Sequence, residues 1–282
     1  MSKKGMSLHI GVNTVNPDHY GGWAGPLNAC EADAEDMMSL AENGDYDSQI
    51  LLTGEATRQA VIGAIKQAAE KLSDGDIFLV TYSGHGGQVA DVNGDEQDLR
   101  DETWCLYDGQ LIDDELANFW SLFQRGVRIF VLSDSCHSGS VSRAPVARAD
   151  PQLRLSAPLA EILGTDEVRT RCMPDEHAAR TYRTNKKFYD DIQRALPKKL
   201  PEVDASVRLI SGCQDNQLSL DGTFNGLFTG QLLRVWSSGN FSGNYSEFHK
   251  AIVLRMPPSQ TPNHFVTGAA NLAYDKQKPF QI

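Results

Sequence analysis

Two apolar runs constrain the fold of this chain more than any other feature of its sequence. One begins after Asp76 and ends at Ser83, and the other extends from Val127 to Asp134. Each is short and rich in β-branched and aromatic residues, and each ends in small and polar residues, a pattern typical of buried strands. Between and around them, apolar residues recur at helical spacing. Strands that alternate with amphipathic helices predict an α/β sheet with right-handed crossovers.

The remaining elements extend this alternation along the chain. Thr57 is positioned to cap one helix, and Asp113 or Asp114 to begin another that ends at Gly126. The other predicted helices cover residues 28–43, 226–236 and 246–255, and the other predicted strands cover residues 7–13, 49–52, 205–213 and 264–267.

The composition changes between residues 140 and 204. This stretch is rich in Arg, Ala and Pro and has no long apolar strand. At about sixty residues it is far longer than an ordinary connection, so it is interpreted as a basic insertion in a single sheet domain. Its arginines are expected to be exposed, as sites of proteolytic nicking generally are.

Charge and cysteine content narrow the functional classes. The formal net charge of −11 argues against nucleic-acid binding, which usually needs a basic face. Five cysteines without a repeated spacing do not form a disulfide framework and fit a reducing compartment. Neither a signal-peptide run nor an apolar run of about 18 residues occurs, so a cytoplasmic protein that does not contact membranes is expected.

A cysteine and a histidine follow the two apolar runs. His85 follows the first run within Ser-Gly-His-Gly-Gly, and Cys136 follows the second within Asp-Ser-Cys-His-Ser-Gly. Ligands bind at the carboxyl ends of parallel strands, so the two side chains are expected to meet there. A thiol beside an imidazole can attack a carbonyl group. Taken singly, each residue is more often structural, but no apolar neighbour is available to bury the thiol of Cys136.

Two other interpretations of the Cys/His pair fit the sequence less well. A structural zinc site is disfavoured, because Cys136 and His137 are adjacent and no second ligand pair exists. His137 is a competing base by proximity, but neighbours in an extended segment face opposite sides. No third residue that could orient the imidazole of His85 is evident, so a Cys/His dyad is predicted.

Several motifs resemble those of one family. They are YSGHGGQ, DSCHSG, LNACEADA from residue 27, NGDEQDLRDE from residue 93, SGCQDNQ from residue 211 and NGLFTGQLL from residue 225. Together they are similar to the metacaspases and their prokaryotic relatives among the caspase-like cysteine peptidases. The resemblance implies a caspase-like, mostly parallel six-stranded sheet flanked by helices. It also implies a large-subunit-like half at residues 1–139 and a small-subunit-like half at residues 205–282, separated by the insertion at 140–204, a potential processing linker.

The resemblance also implies roles for individual residues. Cys136 would be the nucleophile and His85 the general acid/base, with the backbone N–H groups of Gly86 and Cys136 as the oxyanion hole. The specificity pocket maps onto Asp134, Asp33, Cys30 and Ser83. Two carboxylates bind a guanidinium well, so the expected substrates are proteins or peptides with exposed Arg, and less strongly Lys, before the cleaved bond.

Calcium and self-cleavage are further implications. The chemistry itself needs no cofactor, but the ligands of calcium-activated metacaspases correspond to Asp101, Asp113 and Asp114. A fourth ligand position holds Arg143, a cation in place of an anion, which argues against calcium dependence. An Arg-specific enzyme could also cut its own basic insertion, and the candidate positions include Arg143, Arg148 and Arg183.

Alternatives from other classes stay open on the sequence alone. The chain could be a catalytically silent caspase-like scaffold, an unrelated doubly wound ligand-binding domain, or an acyltransferase or ligase that uses the same thioester chemistry. The sequence does not give the oligomeric state, although a monomer is slightly favoured.

Overall fold

The structure is a computed structural model that describes residues 3–92, 100–136, 156–165, 167, 169–199, 201–214 and 217–282. Its strands are β1 Gly5–Gly11, β2 Asp47–Leu52, β3 Ile77–Ser83, β4 Gly86–Ala90, β5 Arg100–Leu106, β6 Gly109–Ile112, β7 Arg128–Asp134, β8 Ser206–Ser211 and β9 Asn263–Gly268. Its α-helices are α1 Cys30–Glu42, α2 Arg58–Lys71, α3 Asp113–Trp120, α4 Ala157–Leu163, α5 Asp175–Thr184, α6 Lys186–Ala195, α7 Leu227–Trp236, α8 Tyr245–Val253 and α9 Leu272–Lys276.

A six-stranded sheet forms the centre of the domain and confirms the predicted fold class. Its strands run in the order β2-β1-β3-β7-β8-β9. All neighbours are parallel except β8 and β9, which pair antiparallel. The strands that precede His85 and Cys136 are adjacent at its centre, and Ser83 lies directly beside Asp134 in their register.

The core occupies both faces of this sheet. Along β3, Phe78, Val80 and Tyr82 point to one face, while Ile77 and Leu79 point to the other. Helices α2 and α3 cover the first face, and α1, α7 and α8 cover the second. Because successive side chains of a strand alternate between faces, a central strand covered on both sides must be apolar throughout. This explains the uninterrupted apolar runs in the sequence.

Two parts of the fold were not predicted. Strands β4, β5 and β6 form a separate antiparallel sheet that is not among the predicted elements. The basic insertion contains helices α4, α5 and α6. Both were missed because their apolar content is low, so the periodic signal is weak. The helix at Asp113 ends at Trp120, earlier than predicted.

The local signals at helix ends were more reliable. The Thr57 hydroxyl accepts a hydrogen bond from the backbone N–H of Ala60 at 3.2 Å and caps α2 as predicted. Across the described part of the chain, no helix is both long enough and apolar enough to cross a membrane.

Candidate active site

The site lies at the carboxyl ends of β3 and β7. Ser83 and Asp134 end these two neighbouring strands, and His85 and Cys136 each follow two residues later. The parallel pairing therefore places all four residues at one edge of the sheet, where parallel sheets bind their ligands. The arrangement brings together the residues that the sequence singled out.

His85 is buried and held by a backbone carbonyl. Its Nε2 is 2.9 Å from the carbonyl oxygen of Gly25, so Nε2 carries the proton and donates it. Nδ1 is buried and has no hydrogen-bond partner among the described residues. Burial lowers the pKa of His85 to about 4, which keeps the ring neutral. The group that orients the imidazole is thus a backbone atom, which no pattern of side chains in the sequence indicates.

Cys136 is closed off from solvent. Only 2 % of the residue is exposed, and burial raises the pKa of its thiol. Its Sγ accepts a hydrogen bond from the backbone N–H of Ser219 at 3.0 Å. The expectation that no apolar neighbour would bury this thiol did not lead to an exposed thiol, because Cys172, Cys213 and the backbone of Ser219 lie against it. All five cysteines of the chain are free.

The guanidinium of Arg171 fills an acidic pocket beside Cys136. Its nitrogens lie 2.7 Å from Asp33 Oδ2, 2.8 Å from Asp134 Oδ2 and 3.0 Å from Asp221 Oδ1. It also donates a hydrogen bond to Ser83 Oγ at 2.8 Å. Arg171 is completely buried, which contradicts the expected exposure of the insertion arginines. Burial of a charged group is unfavourable unless ion pairs and hydrogen bonds compensate it, and the carboxylates of this pocket compensate the burial of Arg171.

The pocket carboxylates are themselves held in place. Asp134 accepts hydrogen bonds from the hydroxyls of Ser219 and Thr229, both at 2.7 Å. Asp33 accepts from Ser83 Oγ at 2.7 Å, and Asp221 accepts from the backbone N–H of Asn28 at 2.7 Å. Burial raises the pKa of Asp33 to about 6, although the Arg171 guanidinium opposes this shift. Hydrogen bonds therefore fix these carboxylates around the Arg171 guanidinium.

The carbonyl group of Arg171 faces Cys136. Its oxygen accepts hydrogen bonds from the backbone N–H of Gly86 at 2.9 Å and from that of Cys136 at 3.2 Å. These are the two groups predicted for an oxyanion hole. A Cβ on residue 86 would lie 1.6 Å from the carbonyl oxygen of Cys136, so only glycine allows this close approach.

The sequence as a whole matches a known family. A family model described as the caspase domain (Peptidase_C14) matches residues 12–279. The chain belongs to the caspase-domain family of cysteine peptidases. This caspase domain is 28 % identical over 258 residues to Metacaspase-1 of Saccharomyces cerevisiae, covering 80 % of the chain and 56 % of that protein. It is 29 % identical over 287 residues to Metacaspase-1 of Pyricularia oryzae, covering 92 % of the chain and 70 % of that protein.

Two solved structures are similar to this chain. A crystal structure of a Geobacter sulfurreducens protein is 54 % identical and matches with a TM-score of 0.86, covering 99 % of both chains. Caspase-1 of Spodoptera frugiperda is only 10 % identical, with a TM-score of 0.51 over 94 % of this chain and 86 % of that one, and shows the shared fold alone. The caspase domain spans little more than half the length of the yeast metacaspase.

Some residues of the site were missed from the sequence. Asp221 contributes the third carboxylate of the pocket, and Gly226 and Gln260 line its surroundings. Cys30 is buried at the start of α1. Burial raises the pKa of its thiol, and the positive charge of the nearby Arg171 guanidinium opposes this shift. The sequence offered no direct signal for Asp221, because acidic residues in loops are common.

His137, Arg143 and Arg148 fall outside the described residues. Arg183 is exposed in the last turn of α5, where the backbone is helical.

The acidic residues proposed for calcium gather at a different place. Asp101 is buried on β5, and Asp113 and Asp114 begin α3. Burial, with the nearby carboxylates of Glu102 and Asp101, raises the pKa of Asp113 well above its usual range. In the ranges that the structure describes, no group of three acidic, His or Cys side chains is arranged to hold a metal ion.

Proposed function

We propose that this caspase domain is a cysteine endopeptidase that cleaves peptide bonds after Arg, and less readily after Lys. The observation that carries the proposal is Arg171, whose side chain fills the acidic pocket while its carbonyl group faces Cys136. A substrate arginine bound in the same way would present its carbonyl carbon to the nucleophile. The pocket supports Arg over Lys because its three carboxylates surround a planar, forked cation, which an ammonium group matches less well.

The proposed chemistry uses Cys136 and His85. His85 takes the thiol proton at Nδ1, since Nε2–H is held by Gly25, and the sulfur attacks the carbonyl carbon. The negative charge that develops on the oxygen is stabilised by the N–H groups of Gly86 and Cys136, each worth a factor of about 100 or more in rate. His85 then gives its proton to the leaving amine, and water hydrolyses the thioester. This chemistry requires no metal ion.

Kinetic measurements test the specificity. Peptides that differ only in Arg, Lys, Gln or Asp before the reporter group should be cleaved in the order Arg, Lys, then the others. The Gln peptide should be at least about 100-fold slower in kcat/KM, because each hydrogen bond to a charged group contributes about 1.5–3 kcal/mol. An enzyme that prefers Asp, or that shows no preference, would exclude the pocket assignment.

Covalent labelling tests the nucleophile and separates a peptidase from a silent scaffold. An arginine-based electrophile should label the protein at one cysteine, and Cys136→Ala should abolish the label. Cys172→Ser is the matched control, because Cys172 is the more exposed thiol beside the same site. It should still be labelled. Absence of labelling in Arg171→Gln, in which the pocket has lost its own occupant, would favour the silent scaffold.

A chelator series tests the role of calcium. Because no step of the proposed chemistry involves a metal, activity on the Arg peptide should survive excess EGTA. Loss of activity that returns with added Ca²⁺ would instead place an activating ion at the acidic residues Asp101, Asp113 and Asp114.

A further inference from the structure

The loop that joins β1 to α1, residues 12–29, reaches His85 with an aromatic ring as well as with a carbonyl group. The indole of Trp23 lies 4.7 Å from the imidazole of His85, measured between ring centroids, with an angle of 56° between the two planes. Gly25, two residues later, supplies the carbonyl oxygen that accepts the hydrogen bond from Nε2. One short turn therefore makes two different contacts with the same side chain.

The two contacts meet beside the Cα atom of Gly25. A Cβ on this residue would lie 2.6 Å from Trp23 Cζ2 and 3.0 Å from His85 Nε2. The backbone of Gly25 also has a φ of +50°, in the region that favours glycine. Glycine thus leaves open the space in which the edge of the indole lies beside the hydrogen bond from Nε2.

The fold holds this turn in place. The backbone N–H of Val15 donates to the carbonyl oxygen of Ala24 at 2.9 Å. The backbone N–H of Trp23 donates to the carbonyl oxygen of Tyr20 at 3.2 Å. Tyr20 is completely buried, and its hydroxyl donates to the carbonyl oxygen of Leu106 at 2.6 Å. The position of Trp23 is therefore set by backbone hydrogen bonds and by a neighbour anchored in the core.

A second imidazole restricts the indole further. His177, in the first turn of α5, stacks on Trp23 with ring centroids 5.7 Å apart and an angle of 23° between the planes. The indole itself stays half-buried, whereas His85 is only 4 % exposed. Trp23 is thus in contact with both the solvent and His85, and its indole covers one side of the imidazole.

His85 needs such a contact because its side chain makes a single hydrogen bond. Nε2 is bonded to Gly25, but Nδ1 is buried and has no hydrogen-bond partner within the described ranges. One hydrogen bond leaves the imidazole plane free to turn about the line from Nε2 to the carbonyl oxygen. In the proposed chemistry Nδ1 takes the thiol proton of Cys136, so a turned ring would be misaligned for the transfer.

We propose that Trp23 is a positioning residue of the Cys136/His85 dyad: its indole fixes the imidazole plane for proton transfer and keeps water away from the ring. This inference rests on the proposed peptidase activity and adds a residue that lies outside the motifs of the predicted dyad. When His85 takes the thiol proton, a cation forms next to the indole, and an aromatic ring within about 6 Å of a cation stabilises it.

Steady-state kinetics on an Arg peptide tests the positioning role. Trp23→Ala should lower kcat at least about tenfold, which is part of the roughly 100- to 10,000-fold that general acid–base catalysis contributes. KM should change less than about twofold, because the acidic pocket that binds the guanidinium is unaltered. Trp23→Phe should recover most of kcat, since it restores an aromatic face. A rise in KM at constant kcat, or no recovery in Trp23→Phe, would overturn the proposal.

Trp236 is the matched control. It is also half-buried, it packs against Phe280 with ring centroids 4.9 Å apart, and it borders a groove with Gly5 at the opposite end of the strands from His85. Trp236→Ala should lower the midpoint of thermal unfolding but leave kcat unchanged. Equal losses of kcat in Trp23→Ala and Trp236→Ala would assign both effects to folding and would refute the positioning role.

Histidine NMR tests the same contact without a substrate. Burial lowers the pKa of His85 to about 4, with smaller and opposing effects from Asp221 and Arg171. In protein with ¹⁵N-labelled histidine, the His85 signal, identified by its loss in His85→Gln, should stay neutral with the proton on Nε2 from pH 5 to 8. In Trp23→Ala water reaches the ring, so the pKa should rise above about 5, towards the ordinary value of about 6.5. An unchanged titration in Trp23→Ala would contradict the proposal.

The two proposals fail in different ways. If the wild type cleaves Arg peptides and Trp23→Ala does so with the same kcat, the positioning role is refuted and the peptidase assignment stands. If the wild type neither cleaves an Arg peptide nor reacts with an arginine-based electrophile, the peptidase assignment is refuted, and the positioning role with it. Thermal unfolding of each variant confirms that the kinetics and the NMR spectra are measured on folded protein.

Discussion

At the scale of residues, backbone groups shape the site as much as side chains do. The carbonyl group of Gly25 selects the tautomer of His85, and the N–H groups of Gly86 and Cys136 bind the carbonyl oxygen of the occupant. Such groups are already oriented by the fold and need no side-chain ordering, which makes them effective stabilisers of developing charge. Backbone groups are the same in nearly every residue, so a pattern of residue types does not indicate which of them form the site.

Gly226 offers a test of the pocket's size. A Cβ at this position would lie 2.5 Å from the guanidinium of Arg171, although its backbone angles suit any residue. We expect Gly226→Ala to raise KM for an Arg peptide at least about tenfold, with a smaller effect on a Lys peptide because the ammonium group is slimmer. Steady-state kinetics on both peptides measures the difference.

The control for this variant is Gly63→Ala. Gly63 lies within α2, and a Cβ there would contact nothing within 4 Å. The substitution should leave both KM values unchanged and stabilise the helix by about 0.5–1 kcal/mol. Equal effects of the two substitutions on KM would show that Gly226 does not border the substrate.

Asp221 provides a test of the third carboxylate. Its Oδ1 is 3.0 Å from the Arg171 guanidinium, and no other described arginine contacts it. We expect Asp221→Asn to lower kcat/KM for an Arg peptide by about 10- to 100-fold, the effect of one hydrogen bond between charged groups. The exposed Asp36, which binds Asn225, is a matched control, and Asp36→Asn should change kcat/KM less than twofold.

At the scale of elements, a buried ion pair joins α2 to α3. Arg58 Nη2 lies 2.7 Å from Glu115 Oε1, and both side chains are largely buried. Removal of one partner leaves the other as an uncompensated buried charge. We therefore expect Arg58→Met to lower the free energy of unfolding by about 3–5 kcal/mol, measured by denaturant titration, and Glu115→Leu in the same chain to recover part of it.

An exposed pair of the same geometry serves as the comparison. Arg125 lies 2.7 Å from Asp204, but its side chain is 80 % exposed. Arg125→Met should cost no more than about 1 kcal/mol, because surface ion pairs are screened by water. Similar losses for the two substitutions would contradict the role assigned to burial.

At the scale of the whole molecule, a buried histidine couples stability to pH. His9 hydrogen-bonds Thr81 and Ser7, both at 2.9 Å, and burial lowers its pKa to about 3. Between that value and about 6.5, the unfolded chain binds a proton that the folded chain does not. The free energy of unfolding should therefore have its full value above pH 6.5 and decrease by up to about 1.4 kcal/mol for each pH unit below 6.5.

Denaturant titrations from pH 4.5 to 7.5 check this slope. His85, with a pKa near 4, acts in the same direction, whereas the raised pKa of Asp33 acts in the opposite direction. Comparison of the wild type with His9→Asn isolates the contribution of His9 to the slope, because the asparagine amide keeps polar contacts with Thr81 and Ser7 but does not titrate. An unchanged slope in His9→Asn would contradict the assignment.

Much of the fold and the grouping of His85 with Cys136 followed from the sequence by itself. Apolar runs marked the central strands, because a strand buried on both faces needs apolar side chains throughout. His85 and Cys136 could be grouped because each lies just beyond the end of such a strand, whereas Ser83 and Asp134 were assigned to the pocket by the family resemblance. Strand ends are encoded locally, so their positions need no knowledge of distant contacts.

Only the tertiary structure decided what occupies the site. Asp33, Arg171 and Asp221 are far apart in the chain and meet through charge, a long-range interaction that leaves no periodic pattern. The sequence identified Arg171 as one of several arginines in an insertion expected to be exposed, whereas the folded chain buries it against three carboxylates. Arg171 is buried, rather than another arginine of the insertion, because its backbone pairs with Gly86 and Ser219. This pairing exists only after the sheet has formed.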